Sequence, residues 1–395
     1  MAKIKINYLR NPIEDKHISM IQYIDDLIDY QKKFPEQFEI SDYVPNFSKL
    51  LNIFSNNLKM RIARYVIYPR QVKRLPFYDI THIGDQGYSH LVNHINSKVK
   101  ILTVNDLIPL VFEKKKLKDI YNPSGEGTNK RLRFLFRYST KHFKYFDRII
   151  AISENTKNDI LKFSDCEEKK ISVIHTNIPL PYFNNDKIDK EAVCKKYNIP
   201  YKPKKILIYG TGFYKNHVTS VKVLENLINL NIDIIIVWMG HKNNISLMKN
   251  KNLVNKIVQL PTMIPRKEMP NIFKTCDVVL YPSLYEGMGN LTLEAMRCGV
   301  PIICSNTSAF PEIAGDKEIM CDPLNDEEIT NKILKLLNDN EFYIKKISDG
   351  INRSKLFSYQ KMHEKIINLY KEEYLKKNEE KWFFKKINKF FSSKE

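Results

Sequence analysis

Short apolar runs alternate repeatedly with longer segments of helical period along this chain, and this pattern limits the folds that it can adopt. Alternation of this kind is typical of parallel strands joined by right-handed helical crossovers, so we predict an α/β fold with doubly wound sheets. The predicted strands occupy residues 3–8, 79–83, 101–104, 148–152, 171–175, 205–209, 232–237, 257–260, 278–281 and 301–304, and the predicted helices include 17–34, 131–146, 217–230, 271–276 and 291–298.

Residues 181–203 interrupt this alternation and predict a domain boundary. The stretch carries three prolines, two adjacent asparagines and only one short helical segment. A length of 395 residues also favours two domains over a single core. After Asn325 the chain reads almost wholly as helix. We predict an N-terminal domain at 1–185, a C-terminal domain at 186–357, a helix at 358–380 that crosses back to the N-terminal domain, and a basic amphipathic tail at 381–395.

No segment of the sequence predicts export or a membrane span. Residues 1–10 alternate lysine with apolar side chains instead of forming the apolar centre of a signal peptide. The longest apolar stretch, near 232–239, is too short to cross a bilayer. The six cysteines are scattered without a CxxC pair or a metal-finger spacing, which predicts reduced core residues. We therefore expect a cytoplasmic protein.

The positive charge is concentrated in one part of the chain. The net charge is +19, and residues 51–150 hold 19 lysines and arginines against 7 acidic residues, a net +12. Such an excess attracts anionic partners such as phosphorylated substrates or lipid headgroups. A lysine-rich composition throughout the chain explains the charge equally well, so both interpretations stay open.

The last residues, 381–395, place four apolar side chains on one helical stripe beside three lysines. A basic amphipathic helix with aromatic anchors suits a membrane interface, although docking onto the N-terminal domain is the alternative. We favour the first, and expect peripheral contact with the anionic inner face of the plasma membrane and no binding of nucleic acid. The stripe consists of Phe383, Ile387, Phe390 and Phe391, with Lys385, Lys386 and Lys389 beside it.

Glycine is scarce, and its distribution points to ligand loops. Of 12 glycines, eight fall in the close pairs 84/87, 125/127, 210/212 and 287/289, and three of these pairs follow a predicted strand. The carboxyl edge of an open α/β sheet is where ligands bind, and glycine there allows a close approach of backbone to phosphate. No pair forms part of a dinucleotide-binding or P-loop motif. Ordinary turn geometry is the alternative for any single pair.

Residues 278–323 combine a buried strand, a polar loop and a helix that starts near Asn290. The N-terminus of a helix presents unpaired N–H groups and the positive end of the dipole, so it suits a diphosphate. Glu294, early in that helix, is placed to accept hydrogen bonds from ribose hydroxyl groups. Glu286, on the loop, is placed to reach a sugar beyond the phosphates.

The run YPSLYEGMGNLTLEAMRCGVPIICSNTSAFPEIAG closely resembles the donor-site signature of the retaining, metal-independent glycosyltransferases of family 4, a group 1 type. The resemblance implies the GT-B fold, in which two Rossmann-like domains face a central cleft. It also implies transfer of a sugar from a UDP- or GDP-linked donor, with mannose as a candidate, to a glycan or lipid-linked acceptor in cell-surface polysaccharide synthesis. Neither a metal nor a cofactor is expected.

The resemblance also implies roles for individual residues. The E-x7-E pair of the family maps onto Glu286 and Glu294, and the segment IYGTGFYKNH places Lys215 where a basic residue neutralises the donor diphosphate. Tyr214 stands where a second basic residue is usual. The expected catalytic residues are Glu286, Lys215 and Asp106. The expected donor-binding residues are Gly210, Gly212, Lys215, Glu286, Gly287, Met288, Gly289, Asn290, Leu291 and Glu294.

The segment ILTVNDLIPL resembles the N-domain wall that faces the donor sugar, with one departure. Asn105 precedes Asp106 where the family has a histidine. His90 and His82 are candidates to replace that imidazole, and the expected acceptor-side residues are Asp85, His90 and Asn105. The glycine-rich loop usual after the first N-domain strand is also absent.

Several simpler interpretations remain beside these. Asp85 is either an acceptor-side base or a turn residue. His90 and His94 share one helix face, which suits packing better than a metal site. The basic side chains at Lys130, Arg131, Arg133 and Arg137 suit a solvated helix better than phosphate recognition. An epimerase-type enzyme of the same fold that uses a nucleotide sugar without transfer, or a binder of polyanions, is the alternative function.

Overall fold

The computed structural model describes residues 3–12, 18–45, 47, 60–112, 130–176, 188–240, 251–261 and 264–392. The chain divides into two compact units. Unit 1 comprises Met1–Leu110, Lys130–His175 and Gln360–Glu395, and unit 2 comprises Val111–Asn129 and Thr176–Tyr359.

Unit 1 is built on a parallel six-stranded sheet in the order β2-β1-β3-β4-β5-β6. A π-helical turn at Ala63–Ile67 leads directly into the second helix, and a 3₁₀ segment, Gln86–His94, follows the third strand. The strands are β1 (Ile4–Leu9), β2 (Phe38–Tyr43), β3 (Tyr78–Ile83), β4 (Ser97–Val104), β5 (Arg148–Ala151) and β6 (Ile171–Val173). The helices are α1 (Ile18–Gln31), α2 (Tyr68–Val72), α3 (Ile108–Val111), α4 (Lys130–Thr140) and α5 (Glu154–Phe163).

Unit 2 contains a second parallel six-stranded sheet, in the order β12-β11-β10-β7-β8-β9. Its strands are β7 (Lys204–Tyr209), β8 (Ile234–Met239), β9 (Ile257–Gln259), β10 (Val278–Tyr281), β11 (Ile302–Ser305) and β12 (Met320–Cys321). Its helices are α6 (Lys190–Lys196), α7 (His217–Asn229), α8 (Lys251–Val254), α9 (Met269–Thr275), α10 (Asn290–Arg297), α11 (Phe310–Ala314), α12 (Asp326–Asn338) and α13 (Asn340–Ser354).

The unit 2 sheet is buried on both faces, as the sequence of its strands requires. All six residues of β8, IIIVWM, are buried, and so is every residue of β10, VVLY. Continuous apolar runs of this kind are typical of parallel strands covered by helices on both sides. The core therefore fixes both strands, and the polar residues that follow them are left at the carboxyl edge of the sheet.

The predicted α/β class is confirmed, and each predicted strand is present within a few residues of its expected bounds. Two strands were not predicted, β2 and β12. β2 is a short edge strand whose sequence, FEISDY, has few apolar residues, and β12 has only two residues. The helix predicted at 131–146 is also too long, because α4 ends at Thr140 and a 3₁₀ turn at Phe143–Tyr145 follows.

The last helix, α14 (Tyr359–Ser392), belongs to unit 1 although it follows unit 2 in the sequence. The Tyr370 hydroxyl group lies 3.1 Å from that of Tyr8 and hydrogen-bonds His82 Nδ1. The Glu373 carboxylate pairs with the Arg148 guanidinium group. The expected return of the C-terminal helices to the N-terminal domain is therefore confirmed.

α14 runs without a break past residue 380, so the predicted tail is not a separate helix. The side chains of its apolar stripe lie outside the described residues, and the membrane contact expected of them stays a prediction. None of the described helices is both long and apolar enough to span a membrane.

Candidate active site

The predicted donor residues lie at the carboxyl edge of the unit 2 sheet, where the strand order changes direction. β7 and β10 are neighbours, and the chain continues from them toward opposite edges of the sheet. Open parallel sheets bind ligands at such a point. Lys215 follows β7 and Glu286 follows β10, so the fold brings two segments that are distant in sequence to one edge.

Lys215 is the centre of the contacts at this edge. Its ammonium nitrogen lies 2.7 Å from Glu286 Oε1 and 2.9 Å from the hydroxyl oxygen of Tyr281. It also lies 5.0 Å from the ring centroids of Tyr214 and of Tyr281. The side chains of Lys215 and Glu286 are only 11% and 12% exposed, so water screens their attraction weakly. The edge thus holds an oriented ion pair between two predicted site residues.

Gly210 and Gly212 shape the turn that carries Lys215. Their φ angles of +109° and +96° are ones that other residues rarely adopt. A Cβ atom on Gly210 would lie 2.9 Å from Lys215 Cε, and one on Gly212 would lie 3.0 Å from the Tyr214 ring. Both glycines are therefore required by the backbone, and Gly210 also by the path of the lysine side chain.

The N-terminus of α10 is a second feature of this edge. Its capping residue, Gly289, is left-handed and provides no side-chain cap, so N–H groups of the first turn lack side-chain acceptors there. Asn290 Oδ1 and Thr292 Oγ1 are buried without a hydrogen-bond partner. Met288 and Leu291 are 2% and 4% exposed and pack in the core, so only their backbone is available to a ligand.

Glu294 lies one turn into α10. Burial raises the pKa of its carboxyl group to about 7, while the positive charges of Arg266 and Arg297 lower it by a smaller amount. Such a strongly shifted group is typical of a functional site.

The sequence did not single out three residues that hold the Lys215 turn in place. Asn216, left-handed at φ +57°, caps α7 and donates from Nδ2 to the carbonyl groups of Pro282 and Pro323. His217 Nε2 lies 3.1 Å from the Gly210 carbonyl oxygen, and burial lowers the pKa of its imidazole to about 4. Tyr281 is the third of these residues, and its hydroxyl oxygen lies 2.9 Å from Lys215 Nζ. An asparagine directly before a helical pattern is a capping signal that could have identified Asn216.

In unit 1, Asn105 and Asp106 follow β4 and are tied to the 3₁₀ segment that follows β3. Gln86 accepts the Asn105 N–H at 3.1 Å and donates to the Asp106 carbonyl oxygen at 2.9 Å. Asp106 Oδ1 accepts the N–H of Ile108, and Asn105 Nδ2 donates to the Gly84 carbonyl group. The two predicted residues are thus held in one polar turn at the carboxyl edge of the unit 1 sheet.

Asp85 and the two histidines that were candidates to replace the missing imidazole make contacts that stabilise the fold. Asp85 caps the 3₁₀ segment through Gly87 N at 2.7 Å and accepts from Asn11 at 2.6 Å. His82 lies in the core, where burial lowers its pKa to about 3. His90 is 4% exposed and contacts the Arg64 carbonyl oxygen, and burial lowers its pKa to about 4. The acceptor-side roles of Asp85 and His90 stay predictions.

Within the described ranges, no group of three or more His, Cys, Asp or Glu side chains is arranged to hold a metal ion. The six cysteines are all buried and free.

Residues 189–353, which contain the whole donor edge, match the family model of the glycosyl transferases group 1. The matched segment includes both the Lys215 turn and the α10 helix, in agreement with the resemblance found in the sequence.

Two curated relatives of the chain are mannosyltransferases of Escherichia coli. The O-antigen chain mannosyltransferase B is 36% identical over 108 residues, which is 27% of this chain and 28% of the relative. The serotype-specific mannosyltransferase WbdA is 21% identical over 295 residues, 71% of this chain and 35% of the relative. The chain therefore spans about a third of the length of these relatives.

Solved structures show the fold over almost the whole chain. A crystal structure of Anabaena HepE in complex with UDP-glucose matches with a TM-score of 0.69 and 13% identity, over 93% of this chain and 100% of that one. HepE is a GT-B glycosyltransferase, and the two parallel six-stranded sheets with flanking helices have the same architecture. The GT-B fold predicted from the sequence is confirmed.

Proposed function

We propose that this chain is a retaining glycosyltransferase that moves a sugar from a nucleoside-diphosphate sugar to an acceptor hydroxyl group. The observation that carries the proposal is the meeting of the Lys215–Glu286 pair and the N-terminus of α10 at one sheet edge. An oriented cation and unpaired N–H groups suit a diphosphate. A carboxylate beside them suits sugar hydroxyl groups.

In this scheme the donor-binding residues contact different parts of the nucleotide sugar. Lys215 and the N–H groups at Gly289, Asn290 and Leu291 stabilise the charge that develops on the leaving diphosphate, which is the largest catalytic effect expected of fixed donors. Glycines at 210, 212 and 287 let the backbone approach the phosphates. The scheme assigns charge neutralisation to these groups and not to a metal ion or another cofactor.

The two carboxylates bind the other parts of the donor. Glu294 accepts hydrogen bonds from the ribose hydroxyl groups, because its carboxylate lies on the same helix as the proposed diphosphate site, one turn from its N-terminus. Glu286 orients the donor sugar. In unit 1 we propose Asp106 as the acceptor-side carboxylate, held with Asn105 in the turn beside Gln86.

We propose a UDP- or GDP-linked hexose as the donor, with mannose as the leading candidate. The sugar is suggested by the two mannosyltransferases among the relatives, and the nucleoside diphosphate by the UDP-glucose complex of HepE. The O-antigen relative favours a glycan or lipid-linked acceptor of a cell-surface polysaccharide.

We further propose that unit 1 touches the anionic cytoplasmic face of a membrane, through α4. The helix exposes apolar and cationic side chains together, a combination that suits a bilayer interface. Phe134 is 68% exposed, the largest value among its apolar side chains. The exposed apolar residues are Leu132, Phe134 and Tyr138, and the cationic ones are Lys130, Arg131, Arg133 and Arg137.

The donor site is tested by titrating the protein with UDP, GDP and ADP in a calorimeter. We expect saturable binding of one nucleotide, and a loss of at least tenfold in affinity for Lys215→Met and for Glu294→Ala. Lys222→Met and Glu341→Ala remove exposed charges elsewhere in unit 2 and should bind like the wild type. If all four variants bind the nucleotide with the affinity of the wild type, the proposed donor site is excluded.

Transfer and membrane contact need separate assays. Proton NMR of the product should show the anomeric configuration of the donor, whereas an inverted product would refute retention. Sedimentation with vesicles of phosphatidylglycerol should bring down the wild type and much less Phe134→Ser. Leu356→Ser removes a side chain of similar exposure in unit 2 and should sediment like the wild type. If both variants sediment equally, α4 is not the contact.

A further inference from the structure

The Lys215–Glu286 ion pair joins two residues to which the proposed function gives different ligands. Lys215 is assigned to the diphosphate and Glu286 to the donor sugar, yet their charged atoms lie 2.7 Å apart. The path of the lysine side chain is fixed by Gly210 on one side and by the rings of Tyr214 and Tyr281 on the others. The ammonium group is therefore held where the carboxylate reaches it.

The geometry leaves the ammonium little capacity for a second anion. It has three N–H donors, of which one points to Glu286 and one to the Tyr281 hydroxyl group. A phosphate that binds Lys215 must take a share of its charge from Glu286. It must also bring negative charge close to that carboxylate, in a site where both side chains are nearly buried and like charges repel strongly.

The neighbouring contacts hold Glu286 near the lysine from the other side. Its backbone N–H donates to Ser308 Oγ at 3.0 Å, and Ser308 is itself left-handed at φ +52°. Glu286 is 9% exposed as a whole residue, so its carboxylate cannot move far into water to avoid a phosphate. Without Lys215 the carboxylate keeps a hydrogen bond with the Tyr281 hydroxyl group but loses its charged partner. A further donor must then replace Lys215, because a buried carboxylate with too few hydrogen bonds is costly.

We propose that Glu286 competes with the diphosphate for Lys215, and that the hydroxyl groups of the donor sugar remove this competition by hydrogen-bonding to the carboxylate. The inference rests on the proposed function and extends it. An intact nucleotide sugar supplies the replacement donors, whereas the nucleoside diphosphate left after transfer does not. Glu286 thus favours binding of the donor over the product and speeds product release.

Glu286→Gln tests the inference because it keeps the shape of the side chain and removes its charge. Dissociation constants are measured for the nucleoside diphosphate that the wild type binds and for its sugar-linked form. We expect the nucleoside diphosphate to bind about tenfold more tightly to Glu286→Gln than to the wild type, which is the size of a coupling of about 1.4 kcal/mol. The sugar-linked form should gain less or lose affinity, so the preference for donor over product falls.

Two further variants separate competition from structural damage. Glu286→Asp keeps the charge but withdraws it from Lys215 by one methylene group, and its product affinity should lie between those of the wild type and Glu286→Gln. Glu294→Gln alters the proposed ribose contact, which donor and product share, and should weaken both ligands by the same factor. A simple loss of site structure would weaken every ligand.

The outcomes also distinguish this inference from the proposed function. If the wild type binds a nucleotide and Glu286→Gln binds the nucleoside diphosphate equally well or more weakly, the inference is overturned and the donor site stands. If the wild type binds none of the nucleotides, the proposed function itself fails, and the inference with it.

Discussion

Replacing Glu294 by glutamine should stabilise unit 2 at pH 8 and leave its stability almost unchanged at acidic pH. Burial raises the pKa of this carboxyl group from 4.5 to about 7, so ionising it is more costly in the folded state than in the unfolded state. Glutamine resembles the protonated acid and does not ionise. The variant therefore keeps the stability that the wild type loses on deprotonation.

The sign and size follow from proton linkage. Between pH 4.5 and 7 the folded state retains a proton that the unfolded state has released, so the stability contributed by this group falls as the pH rises through that window. Each pH unit corresponds to about 1.4 kcal/mol, which gives a total of about 3 kcal/mol at pH 8. At pH 5 the difference between variant and wild type should be about 1 kcal/mol or less.

Urea unfolding followed by tryptophan fluorescence measures this difference. Trp238 is fully buried in unit 2 and Trp382 is 62% exposed, so a change in emission reports mainly on unit 2. Glu341→Gln, an exposed substitution in the same unit, is the control and should show no pH-dependent gain. A Glu294→Gln variant that is equally stable or less stable than the wild type at pH 8 would refute the reasoning. A gain in stability together with weaker nucleotide binding would show that unit 2 retains a destabilising carboxylate for ligand binding.

Four other substitutions have definite expected outcomes. Gly210→Ala should lower nucleotide affinity at least tenfold in calorimetry, because its Cβ atom would displace Lys215. Gly299→Ala is the control, because Gly299 also has a positive φ but a Cβ atom there would make only ordinary van der Waals contacts. It should lower the free energy of unfolding by about 1–2 kcal/mol and leave nucleotide binding unchanged. His217→Ala leaves a buried carbonyl oxygen without its partner, so urea unfolding should show a loss of about 1–3 kcal/mol and calorimetry weaker nucleotide binding. Tyr370→Phe removes hydroxyl contacts in unit 1 and should cost about 1–3 kcal/mol without changing nucleotide affinity; a change in affinity would contradict the separation of these roles.

Strands β8 and β10 of unit 2 could be predicted from the sequence because each is a continuous apolar run that is buried on both faces. The edge strand β2 could not, since half of its residues are polar and its pairing with β1 is a tertiary contact. The return of α14 to unit 1 was expected because the chain ends in a long helical stretch after two α/β domains.

The donor residues were recognisable because Glu286 and Glu294 stand in one contiguous run of sequence. The contact between Glu286 and Lys215 was not, because it joins two loops that only the parallel order of β7 and β10 brings together. His82 is the opposite case, a candidate site residue that lies in the core. A histidine near a polar loop resembles a site residue in the sequence, but its ring is enclosed by Tyr370 and Thr103 in the core of unit 1.

A crystal structure of the protein with its preferred nucleoside diphosphate is the decisive test of the proposed donor site. We expect the phosphates to lie within hydrogen-bond distance of Lys215 Nζ and of the N–H groups at the start of α10, with the ribose hydroxyl groups at Glu294. Phosphates bound away from the carboxyl edge between β7 and β10, or a ribose that does not touch Glu294, would contradict it.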